Sequence, residues 1–188
     1  MFTTSGCTGG QVLRGFSPTG ILYCVSPTTT QYWTSTDAGV NIYFTGAGNV
    51  GIGVIGATRK LEVSGDAVIN GVMVGRGSGN IETNTIVGSG ALISNTTGYF
   101  NTANGQNALY SNTTGNSNTA YGASALVNNT TGYNNTAIGT STLYYTTGND
   151  NTAVGSNSLA FNQGGLQNSA NGTQTLFRNT IGSYNAAN

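Results

Sequence analysis

The chain has no histidine, and charged residues make up only 5% of its 188 residues, against roughly 25% in ordinary soluble domains. Those two shortages remove most of the chemistry an enzyme uses. The acids Asp37, Glu62, Asp66, Glu82 and Asp150 are scattered. Glu62 and Asp66 lie four apart in a strand-and-turn context, so they form no paired-carboxylate site. The glycine-rich stretch from Gly71 to Gly79 lacks the lysine and following helix of a phosphate loop. Catalysis is therefore not expected, and neither a cofactor nor a metal is implied. The net charge is zero, so the basic footprint that nucleic-acid binding requires is missing. No run is long and apolar enough for a membrane span, and no basic amphipathic face suits a membrane surface. Met1-Phe2-Thr3-Thr4-Ser5-Gly6 has neither the basic end nor the apolar core of a signal peptide. Either export follows another route, such as virion assembly and lysis, or Met1 begins a fragment. Proline occurs only at Pro18 and Pro27, and cysteine only at Cys7 and Cys24.

What is present is a repeat of 17 residues, Asn-Thr-Ala-Φ-Gly-x-x-Ala-Leu-x-x-Asn-Thr-Thr-Gly-x-x, where Φ is usually apolar. It opens at Asn84, Asn101, Asn118, Asn135, Asn151, Asn168 and Asn185. Glycine follows four positions later at Gly88, Gly105, Gly122, Gly139, Gly155 and Gly172. Leucine follows eight positions later at Leu92, Leu109, Leu126, Leu143, Leu159 and Leu176. An Asn/Thr/Gly/Ser-rich chain of low charge resembles a disordered one, but the hydrophobic residues, 37% of the total, fall at fixed offsets within the array. A short fixed period means one unit stacked many times, each too small to bury its apolar residues alone.

Each repeat offers two extended stretches, Asn-Thr-Ala-Φ and Ala-Leu-Φ, separated by glycine and by an Asn-Thr-Thr-Gly corner. Asn and Gly suit the positive φ of sharp corners. The expected fold is all-β: a parallel β-solenoid or β-roll whose coils stack about 4.7–4.9 Å apart. One coil has 16 residues; it reads Leu143-Tyr144-Tyr145-Thr146-Thr147-Gly148 and lacks the corner asparagine of its neighbours. Stacked columns of Asn predict amide ladders between coils. The same residues include the sequons at Asn95, Asn112 and Asn129, but their fixed place in the repeat favours corners over glycan acceptors.

Neighbouring residues on a strand face opposite ways, and here both are often apolar, as in Ala137-Ile138 and Leu126-Val127. One face fills the interior; the other needs cover, which predicts self-association. Asn104 and Asn171 fall in the Φ column. They are read as a partly buried column, or, if that column faces an oligomer axis, as polar layers able to hold water or an ion. A column of Thr85, Thr102, Thr119, Thr136 and Thr152 raises an ice-binding face as a lesser alternative.

Before the array the chain divides into a β region over 1–47 and a glycine-punctuated short-strand segment over 48–83, with the solenoid over 84–188. Ser17-Pro18-Thr19-Gly20 reads as a hairpin turn. The even cysteine count favours a Cys7–Cys24 disulfide over two buried thiols or a two-cysteine metal site. The chain stops four residues into a seventh repeat with no capping unit, which suggests a longer parent protein.

The order of motifs resembles the shaft region of phage tail-fibre-like proteins whose precursors carry a self-cleaving intramolecular chaperone. The residues concerned are Cys7 with Gly10-Gln11-Val12-Leu13-Arg14-Gly15, then Asn41-Ile42-Tyr43, Gly48-Asn49-Val50-Gly51-Ile52-Gly53, Lys60-Leu61-Glu62-Val63-Ser64-Gly65 and the Asn-Thr-Ala-Φ-Gly repeats. The usual Thr-x-x-Pro after Gly-Ile-Gly is replaced by Val54-Ile55-Gly56-Ala57-Thr58, and the chaperone domain is absent from this sequence. The repeats are also similar to the β-roll heads of trimeric autotransporter adhesins, which usually have a shorter period. Both resemblances imply a parallel homotrimer, a virion or cell-surface location, and a host-surface glycan or receptor as partner.

Overall fold

A computed structural model describes residues 12–16, 22–25, 31–34, 41–45, 49–54 and 58–188. The chain forms two compact units, Met1–Ser64 and Gly65–Asn188.

In the first unit, β1 (Val12–Phe16) and β2 (Leu22–Val25) pair antiparallel, with a register break between Leu13 and Gly15. Their pairing brackets the expected Ser-Pro-Thr-Gly turn. The turn itself and Cys7 lie outside the described residues, as does the Cys7–Cys24 disulfide; the backbone of Cys24 pairs with Leu13. A second sheet takes β3 (Gln31–Thr34), β4 (Asn41–Thr45) and β5 (Asn49–Ile52) as an antiparallel meander, with β6 (Leu61–Val63) parallel to β5. β-Branched and aromatic residues dominate these strands, as a pleated surface favours. Within β6, Glu62 accepts the Thr58 amide at 2.9 Å, and that bond, followed by the Thr58 hydroxyl, holds its carboxyl below the usual range.

The second unit is a parallel β-solenoid capped at its N-terminal end. β7 (Ala67–Ile69) and β8 (Val72–Gly75) form a hairpin across Asn70-Gly71. Both turn residues have positive φ, 49° and 81°, the conformation a two-residue hairpin turn of matching twist demands. β8 then pairs antiparallel with β9 (Thr85–Val87), the first strand of the array. Asp66 ties the ribbon down: its carboxylate accepts the Arg76 and Gly77 amides at 2.7 and 2.9 Å. A single 3-10 turn, Ser78–Asn80, leads on.

From β9 the coils stack in register through β10 (Thr102–Asn104), β11 (Thr119–Tyr121), β12 (Thr136–Ile138), β13 (Thr152–Val154), β14 (Ser169–Asn171) and β15 (Ala186–Ala187). These strands and the ribbon form one nine-stranded sheet, parallel from β9 onward. From β10 to β13 Thr pairs with Thr and Ala with Ala, including the step from Thr136 to Thr152 over the short coil.

The second expected strand is not a strand. Ala-Leu-Φ runs through turns, and every leucine of the column has left-handed φ, between 48° at Leu159 and 53° at Leu126. The corner asparagines Asn95, Asn112 and Asn129 are absent from the positive-φ set; the residue before each repeat holds that conformation instead, from Phe100 to Tyr184. A left-handed leucine costs about 1–2 kcal/mol, whereas burying its side chain returns about 1.5–3 kcal/mol. Burial therefore wins, and the fold tolerates the strain because leucine branches at Cγ and not Cβ. The inter-coil ladder also survives: the Leu109 amide donates to the Ala125 carbonyl and Leu126 to Thr142, both at 3.0 Å.

The core is thin. Leu92, Leu109, Leu126, Leu143 and Leu159 are fully buried with Ala103, Ala120, Ala137 and Ala153. Ile86 stands in the alanine column of the first coil, where partly buried Met73 of the capping ribbon packs against the core.

Candidate functional site

The interior is polar as well as apolar. Two asparagine columns, one opening each repeat and one at the corner, are almost wholly buried, and hydrogen bonds account for that burial. The opening asparagine closes its own coil: Asn84 donates to the Gly98 carbonyl, Asn101 to Gly115 and Asn118 to Gly132, at 2.8–2.9 Å. Its Oδ1 meanwhile accepts the backbone amide of the next opening asparagine, as Asn101 does from Asn118 and Asn118 from Asn135, both at 3.0 Å. This column runs unbroken to Asn185, whose amide donates to Asn168 Oδ1 at 3.0 Å. The corner column works alike: Asn112 donates to Asn95 Oδ1 at 3.0 Å and to the Gly115 carbonyl at 3.0 Å. One carbonyl thus receives two amides, a detail the repeat pattern does not reveal. The sequon asparagines Asn95, Asn112 and Asn129 are buried with engaged amides, so none offers a free amide to a glycan.

Glycine is needed at two places. At Gly105 and Gly122 φ is 139° and an added Cβ would meet the glycine carbonyl of the next coil. The corner glycine Gly115 sits against the Asn112 and Asn129 carboxamides and the next corner carbonyl, of Gly132. Where the second alanine column carries a hydroxyl instead, it is bonded: Thr142 donates to the Gly155 carbonyl at 2.6 Å.

The outer face of the nine-stranded sheet carries the apolar row foreseen in the repeats. Pairing aligns Val74, Val87, Asn104, Tyr121, Ile138, Val154 and Asn171. Tyr121 is 56% exposed and Ile138 43%. Ile69 and Val72 of the capping hairpin, paired with each other, are also exposed and lengthen the apolar surface. Asn104 is half-buried and Asn171 exposed; both stand in this outward row. Thr85, Thr102 and Thr152 are exposed on the same strands, two positions before the apolar row, so the threonine column is bordered by Val, Tyr, Ile and Asn.

The apolar residues that follow each leucine, expected to need cover, form a second surface row, and the ring contacts within it were not foreseen. Aromatic rings meet along the last coils: Tyr144 is edge-on to Tyr145 (4.7 Å between centroids), Tyr145 stacks on Phe161 (5.3 Å) and Phe161 is edge-on to Phe177 (5.1 Å). The signal lay in the one or two residues after each leucine, which are apolar in every coil.

Among the described residues no group of three or more His, Cys, Asp or Glu could hold a metal ion. Also among them, no helix is long and apolar enough to cross a membrane. Comparisons with protein-family models, curated proteins and solved structures find no match to the chain.

Proposed function

We propose that this chain is a structural fibre segment, a trimeric shaft of a phage tail fibre or similar surface appendage, that contributes to host or surface attachment. The observation that carries the reading is the outward row from Val74 to Val154, apolar except at Asn104, on a sheet whose other face already has its own core. Such rows mark interfaces, and a fibre is the assembly that a straight row along a solenoid suits. The number three comes from the resemblance to tail-fibre shafts and adhesin heads. Exposed tyrosine, threonine and asparagine, with almost no charge, give a surface suited to a neutral glycan or receptor.

The test is the solution mass of the intact chain by light scattering, alone and as Ile138→Asp. The expected result is a trimer, or a filament built from trimers, that Ile138→Asp weakens to monomer with its β circular dichroism retained. A folded wild-type monomer would overturn the reading. Thermal-hysteresis activity in that monomer would instead support an ice-binding face.

A further inference from the structure

Among the described residues, two buried side-chain atoms have no hydrogen-bond partner within the protein: Asn129 Oδ1 and Thr146 Oγ1. They are successive members of the corner column. Around them the column is regular, with Asn129 donating to Asn112 Oδ1 at 3.1 Å and Asn179 to Asn162 Oδ1 at 3.3 Å. In the short coil Thr146 takes the place of asparagine. Its hydroxyl sits on Cβ, one bond short of where an amide nitrogen would stand, and it does not reach the coil before.

Two further groups are affected. The Asn162 amide makes one hydrogen bond, to the Gly165 carbonyl at 3.0 Å, and its second N–H has no acceptor in the short coil. The Gly148 carbonyl accepts one side-chain amide, from Asn135 at 2.9 Å, where the corner carbonyls of the coils before, Gly98 and Gly115, each accept two. A missing asparagine would have donated to Asn129 and Gly148 and accepted from Asn162.

We propose that the break is a binding site for one structural water molecule, held by Asn129, Thr146, Gly148 and Asn162. Water is the ligand that fits because the site needs both donors and acceptors. It donates to Asn129 Oδ1 and the Gly148 carbonyl, and it accepts from the Asn162 amide and the Thr146 hydroxyl. A buried water ordinarily makes about three such bonds, within a range of about 2–4. A metal cation would face the Asn162 N–H, and an anion would face two carbonyl oxygens; neither matches the set.

The experiment is a crystal structure of the intact chain at a resolution that orders internal water, with thermal unfolding of two variants. One solvent peak within hydrogen-bond distance of Asn129 Oδ1 and the Gly148 carbonyl is expected, and Thr146→Asn should displace it and raise the unfolding midpoint by about 2–4 °C. Thr146→Val keeps the shape, removes one partner of the water and should lower the midpoint. A dry site, with Asn129 Oδ1 bonded to protein or packed against methyl groups, would overturn the proposal. So would a Thr146→Val chain as stable as the parent, since an unused hydroxyl costs nothing to lose.

Discussion

Three residues of each regular coil work in the left-handed region, and the buried leucine is the least expected of them. At Leu126, φ is 53° with the side chain fully buried. A β-branched residue is a genuine outlier there. Leu126→Ile, an exchange that usually costs less than about 1.5 kcal/mol in a core, is therefore expected to cost about 2–4 kcal/mol here. Leu126→Met should stay within the ordinary range, and chemical denaturation of the two variants checks the contrast. The buried asparagines are equally specific. Asn118 Oδ1 accepts from Asn135 while its amide donates to the Gly132 carbonyl. In Asn118→Asp a carboxylate oxygen would face that carbonyl, and burial would raise the carboxyl pKa above its unfolded value. The raised pKa means the protonated form is the compatible one. Stability is then retained at acidic pH and lost as pH rises through the folded-state pKa. Unfolding midpoints of Asn118→Asp at acidic and neutral pH should show the larger loss at neutral pH.

At the scale of the element, the first strand of each coil was readable from the repeat and the second was not a strand. The Asn, Gly and Leu offsets are legible because each column has one physical job: an amide that closes the coil, a glycine where a Cβ would strike the next carbonyl, a leucine that fills the core. The second strand was overcounted because Ala-Leu-Φ resembles a strand in polarity, and polarity does not report φ. A cue stood two residues before each leucine, where Asn107, Ser124, Ser141 and Asn157 also take positive φ. The capping ribbon was legible too: Asn70-Gly71 between apolar runs is a strong hairpin signal, overlooked because the repeat begins later. That ribbon hangs on Asp66. Asp66→Ala removes the acceptor of two backbone amides and is expected to cost about 1–3 kcal/mol. Hydrogen exchange should show faster exchange at Arg76 and Gly77, while the amides of the fifth and sixth coils keep their protection.

For the whole molecule, the shortage of charge noted at the outset becomes a physical property. Of the five charged residues of the second unit, Asp66, Arg76, Glu82, Asp150 and Arg178, none lies in the fully buried core. Amide ladders and apolar columns carry the solenoid, and neither is screened by salt. Its unfolding midpoint should therefore move little between about 0.05 and 1 M sodium chloride, apart from the mild stiffening that salt gives apolar burial. A steep salt dependence would show that electrostatics had been underestimated. The surface outside the core was less legible. Outward apolar positions could be read from alternation, but which columns join across coils depends on register, and the aromatic row appears only once Tyr145, Phe161 and Phe177 are aligned in space.

The break at Thr146 has a mechanical meaning. Hydrogen bonds between coils run along the solenoid axis, so a pull on the two ends loads every coil-to-coil junction in series, and such a chain yields at its weakest link. Most junctions between coils carry both asparagine columns, but on either side of the fourth coil only the opening column is continuous. Under tension the solenoid should part there first, releasing a defined length of backbone before the coils around Leu109 or Leu159 are disturbed.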